Sequence, residues 1–125
     1  MTTNQPADNF FVVATVLPIK QWRHVWPFLM LTRQVQKQLA TSTGLIHYRL
    51  KANVFAKRFW TLSVWADKDA VRLFVRSGTH AKAVKLFQDW AAPGAAFVEW
   101  NSQTPQVSWQ EALGRLKTPT FTYDV

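Results

Sequence analysis

Hydrophobic residues recur along this chain with two spacings, one of two and one of three to four. Phe10 to Leu17, FFVVATVL, is a nearly continuous apolar run rich in β-branched residues, and Pro18 closes it. A run of that length reads as a strand buried on both faces, hence a central one. Within Lys20 to Ala40, Phe28, Leu31, Val35 and Leu39 share one face at helical spacing, with Arg33, Gln34, Gln36, Lys37 and Gln38 mostly on the others. Pro27 suits the first turn of that helix, where a missing N–H does no harm. Trp22 and Trp26 precede or open it and are placed to cover the end of a sheet. Gly44 ends the exit segment and suits a left-handed conformation.

Strict alternation follows. In Leu45 to Val54, Ile46, Tyr48, Leu50 and Ala52 take one face, and His47, Arg49, Lys51 and Asn53 the other. Arg58 to Trp65 is a second strand, so the two form a hairpin. Its faces are Phe59, Thr61, Ser63 and Trp65 against Arg58, Trp60, Leu62 and Val64. Asp67 is a good N-cap for the next helix, which Ser77-Gly78 interrupts. Ser77 or Thr79 caps the restart, and Ala83, Val84 and Phe87 continue an apolar face until Ala92-Pro93-Gly94. Ala95 to Asn101 is a fourth strand, with Phe97 and Glu99 opposite Val98 and Trp100. Ser108-Trp109-Gln110-Glu111 has the form of a capping box and starts a helix reaching about Leu116. The tail beyond has two readings, an edge strand or an irregular end.

The order β-α-β-β-α-β with a terminal helix predicts an α+β, ferredoxin-like fold: an antiparallel sheet with helices on one face. Residues 1–9 read as a flexible lead, 10–117 as one domain and 118–125 as a tail. The sheet's other face carries large apolar side chains that a single copy would expose, which predicts a homodimer with its sheets stacked face to face.

Composition narrows the chemistry. The 125 residues contain no cysteine, which excludes disulfides, thiol catalysis and Cys-based metal sites. Three histidines without close ligand spacing give no readable metal site, and there is no Gly-rich phosphate loop or Ser-His-Asp signature. The polar N-terminal stretch is no signal peptide, and no apolar run approaches the ~18–20 residues of a membrane span, so a cytoplasmic location is expected. The net charge of +8 is unevenly placed. Between Asn9 and Ala66 there is no acidic residue, but there are Lys20, Arg23, Arg33, Lys37, Arg49, Lys51, Lys57 and Arg58. A basic half favours anionic partners, yet no nucleic-acid motif or block of like charges points to specific DNA or RNA binding.

Among candidate functional residues, His80 stands at the helix restart, where the positive end of the dipole lowers its pKa and holds it neutral. It reads either as a base or haem ligand, or as a packing residue against the Trp65 end of the sheet. His47 and Arg49 share a strand face; with Glu99 they read as a buried ion-pair cluster or as an anion site. Tyr48, Trp60 and Trp65 read as core or as the lining of an aromatic pocket for a flat ligand. Seven tryptophans in so short a chain place some rings at a pocket rim or interface.

Several of these residues carry a family resemblance over about residues 10 to 100. Gly44-Leu45 opens one strand, Leu62-Ser63-Val64-Trp65 closes the next, Asp67, Ala70 and Phe74 follow in the helix, and Ser77 and His80 make a Ser-x-x-His break. The chain thereby resembles the dimeric α/β-barrel superfamily that includes the antibiotic-biosynthesis monooxygenases. It looks most similar to bacterial monooxygenase-like proteins, some of them related to spheroidene monooxygenase. The resemblance implies a homodimeric barrel and a pocket, lined by Tyr48, Trp60, Trp65, Phe74 and His80, that binds or oxidises a hydrophobic aromatic or polyene molecule with no cofactor or with haem. The departures are specific. Where haem-degrading members use a first-strand Asn, the nearest residues here are Ala14 and Thr15. Their helix Trp aligns with Phe74, and their haem-ligand His falls near Val84. The missing set favours the alternative of a non-catalytic ligand-binding or dimeric scaffold module.

Overall fold

A computed structural model describes residues 9–123 of the chain; most of the expected flexible lead lies outside them. The elements are β1 (Phe10–Pro18), a short 3-10 turn (Trp22–His24), α1 (Val25–Ala40), β2 (Leu45–Asn53), β3 (Arg58–Trp65), α2 (Lys68–Val75), α3 (Gly78–Trp90), β4 (Ala96–Ser102), α4 (Trp109–Arg115) and β5 (Phe121–Thr122). The strands form one antiparallel sheet in the order β2-β3-β1-β4-β5. The continuous apolar run is therefore the central strand. The fold is α+β and ferredoxin-like.

Local chemistry sets the boundaries. The Asp67 side chain accepts from the Ala70 N–H at 2.9 Å and starts α2. Ser77 Oγ accepts from the His80 N–H at 3.3 Å and starts α3, which is why the helix breaks and resumes. Ser108 Oγ accepts from the Glu111 N–H at 3.1 Å, but Glu111 turns to Arg115 instead of completing a capping box. Gly44 has φ +88°, and a Cβ there would stand 2.5 Å from Ala70 Cβ, so this turn needs glycine both for its backbone and for close approach to α2.

Strand alternation sorts the core. One face carries Val12, Ala14, Leu62, Val64, Val98 and Trp100, all buried. The opposite face carries Phe11, Phe59 and Trp65 beneath α1, α2 and α3, in two clusters: one around Phe28, Phe59 and Phe87, the other around Leu39, Trp65 and Phe74.

Three expectations need correction. The longer helices do share one face, but α4 and the segment before it lie on the other, where Val107 and Ala112 cap the Val12–Leu62–Val64 cluster. That face is covered within a single chain, so exposure of its apolar residues is not what would require a partner. Trp22 and Trp26 do not cover the sheet end: they are 54% and 71% exposed. Finally, β2 is an edge strand, so Ile46 and Leu50 on its apolar face are exposed rather than half-buried.

Candidate functional site

Between the two helix-side clusters lies a half-enclosed apolar cavity of about 170 Å³. Its floor is the helix-side face of the sheet: Val13, Thr15 and Leu17 from β1, Thr61, Ser63 and Trp65 from β3, and Tyr48 from β2. Its walls come from α1 (Phe28, Leu31, Val35), α2 (Val71, Phe74) and α3 (His80, Val84, Phe87). Protein interiors are packed with few voids larger than a water molecule. A gap of this size, open on one side and lined mainly by apolar groups, has the character of a ligand pocket.

The floor has a short polar row. Thr15 and Thr61, cross-strand partners, bond through their hydroxyls. Ser63 Oγ accepts from Trp65 Nε1 at 2.8 Å, which fixes the indole. Burial pushes the Tyr48 phenol up to about 12, with Gln36 acting in the opposite direction, so the phenol stays protonated and is a donor. On the wall, His80 packs edge-on against Phe74 at 4.9 Å between centroids, and Phe74 packs on Trp65 at 5.4 Å. Burial lowers the His80 pKa. The Val75 backbone offsets part of that without reaching a formed hydrogen bond, and Nδ1 is buried with no partner. Gln38 donates to Ser77 Oγ, tying α1 to the His80 break. The site thus holds a neutral imidazole with an unused nitrogen, a phenol donor and aromatic walls.

The structure brings Tyr48, Trp65, Phe74 and His80 together at this cavity. Trp60 is not with them. It pairs with Val16 and Lys51 on the opposite sheet face, because it is the immediate neighbour of Thr61 and alternation is strict. His47 and Arg49 share that opposite face. His47 Nε2 contacts the Pro105 carbonyl at 2.5 Å, Arg49 donates to the Val107 carbonyl, and its guanidinium lies 5.7 Å from the Trp109 ring centre. The two side chains anchor the segment leading into α4. The expected Arg49–Glu99 pair does not form. Glu99 opposes Val13 and so projects on the helix side, where Lys68 reaches it at 4.0 Å.

Sequence reasoning did not place Thr61 or Ser63 at the site, and named Thr15 only as a first-strand residue near the absent Asn. Their signal was present, since Thr15, Thr61 and Ser63 interrupt the apolar residues on the two strand faces that meet under the helices. Of the two first-strand residues nearest the absent Asn, Thr15 lines the cavity and Ala14 does not; Val84, at the absent His position, also lines it. The cavity does not accommodate haem. An apolar cavity of about 150 Å³ takes one benzene, and a porphyrin is several such rings wide.

No family model matches the sequence, and no curated protein does. Solved structures do match. A solved antibiotic biosynthesis monooxygenase is similar with a TM-score of 0.67 and 16% identity, over 74% of this chain and 97% of that one. A conserved protein from Methanosarcina mazei Go1 is similar with a TM-score of 0.63 and 17% identity, over 74% and 90%. A variant of SnoaB, a cofactor-independent oxygenase from Streptomyces nogalater, is similar with a TM-score of 0.59 and 14% identity, over 81% and 97%. At these identities the likeness is one of architecture: the chain has the fold of the antibiotic biosynthesis monooxygenase-like proteins.

Proposed function

We propose that this chain is a monooxygenase-like protein that binds a small planar aromatic molecule in the cavity and oxidises it without a cofactor. The observation that carries this reading is a neutral His80 whose buried Nδ1 has no partner, set in a mainly apolar cavity whose few hydroxyls lie on the sheet floor. The cofactor-independent chemistry named for SnoaB supports the same reading. Tyr48 donates to a ring carbonyl or phenolate oxygen. His80 takes a proton from an activated methylene beside an aromatic ring. The carbanion passes electrons to dioxygen and takes up one of its atoms. The imidazolium returns the proton, water departs with the second oxygen atom, and a ketone remains. Four electrons move from the substrate carbon to dioxygen, so no outside reductant is required.

The cavity volume selects among ligands. It suits one or two fused rings; a polyene would enter only by a terminal ring, and kinship with spheroidene-monooxygenase-related proteins belongs to the proposal in that limited form. Homodimer formation is a further part of it. The non-catalytic reading keeps one specific support: the first strand offers only Ala14 and Thr15 near the position where haem-degrading members of the superfamily place an Asn.

Oxygen uptake with one- and two-ring quinols and benzylic ketones tests the reaction. Turnover by the parent chain, reduced about 10²- to 10⁴-fold in His80→Gln with Tyr48→Phe raising KM, is the expected result. Aromatic binding without oxygen uptake leaves the binding module; turnover unchanged in His80→Gln removes His80 as the base.

A further inference from the structure

One end of the molecule gathers groups that the cavity does not use. The 3-10 turn after β1 and the β2–β3 hairpin tip lie side by side there: the Ile19 N–H donates to the Lys57 carbonyl at 2.7 Å, and Lys57 Nζ stands 5.4 Å from the Trp22 ring centre. The turn carries Trp22, the hairpin tip carries Val54 and Phe55, and Trp26 follows the turn at the start of α1; Phe55 is 93% exposed. Around them Lys20, Arg23, Lys51 and Arg58 are also exposed. No carboxylate belongs to either segment; Asp89 is near, since the Lys20 N–H donates to the Trp90 carbonyl at 2.8 Å.

We infer that this end is a docking surface for an anionic phospholipid bilayer. Charge complementarity carries the assignment: projecting aromatic and aliphatic side chains ringed by cations match an interface in which Trp and Phe sit at headgroup depth and Lys and Arg meet anionic headgroups. A single-stranded nucleic acid would need rings laid flat along a groove. Here Phe55 stands 93% exposed on a hairpin tip with aliphatic Val54 beside it, and Lys57 covers the Trp22 ring. Attachment is to the surface, because no helix among the described residues is long and apolar enough to cross a membrane.

Flotation of the full chain with phosphatidylcholine vesicles, with and without a quarter phosphatidylglycerol, tests this. The chain floats with the anionic vesicles at low salt and much less at high salt. Phe55→Ser combined with Trp26→Ser weakens binding more than tenfold, and Arg23→Gln about fivefold. These exposed side chains leave the core untouched, so the melting curve stays unchanged. Three results would overturn the inference: no flotation with anionic vesicles at low salt, binding unaffected by the double variant, or tighter retention by a polyuridylate oligonucleotide. A dimer in sedimentation that Phe55→Ser dissociates would assign the surface to a second copy and overturn it equally.

Discussion

His80 is held by three things: Phe74 against its ring, Ser77 Oγ on its backbone N–H, and an apolar wall that leaves Nδ1 without a partner. Its folded pKa lies below the ordinary histidine value, because burial disfavours the charged form. Below about pH 6.5 the unfolded chain therefore binds a proton that the folded chain resists. Stability is lost as pH falls through that range. Denaturant unfolding between pH 7.5 and pH 5 should show a decline that is smaller in His80→Leu; an identical decline in both would mean that His80 titrates like a solvated imidazole. The sequence already contained the cap and the break, since Ser77 and His80 are three apart. It did not contain the missing partner of Nδ1, which depends on what α1 and β3 bring to that wall.

The same limit operates between elements. Trp60 and Trp65 sit five residues apart on β3, an odd spacing that puts them on opposite faces. An aromatic pocket using both is incompatible with the alternation that predicts the strand. Tyr48 and Trp65 reach the cavity because β2 pairs with β3 in a register that sets Tyr48 opposite Ser63, with an irregularity between Leu45 and His47. The cavity itself is a property of how far α1 and α3 stand from the sheet. Val84, half-buried on α3, lines it. Val84→Phe should fill part of the void, raise unfolding free energy by about 1 kcal/mol and abolish binding of a naphthalene-sized probe, as calorimetry and thermal denaturation would read. Destabilisation with ligand binding retained would show that the cavity is not the binding space.

At the scale of the molecule, both sheet faces are covered by the chain's own helices, unequally. Against β1, β3 and β4, α4 seals Val12, Leu62 and Val64, while His47, Arg49, Lys51 and Trp60 lie toward the β2 edge of the same face. A homodimer stacked on this face would use that edge region, with Trp60 as its apolar anchor. Sedimentation at micromolar concentration should then give a dimer that Trp60→Glu dissociates by tenfold or more in Kd; a monomeric parent chain removes the dimer. Part of the basic half of the sequence is likewise concentrated at one end. Strand and turn geometry bring Lys20, Arg23, Lys51 and Arg58 to one end, around Trp22 and Phe55.

The order of elements, the central place of β1, the caps at Asp67, Ser77 and Ser108, and the glycine at position 44 follow from the sequence by itself, because each rests on local periodicity or on a hydrogen bond spanning a few residues. Which face α4 covers, where Arg49 and Glu99 point, and the existence of an apolar cavity beside a neutral His80 were decided only by tertiary structure. Those features depend on strand register and helix-to-sheet distance, quantities to which residues far apart in the chain contribute jointly and which no local pattern encodes.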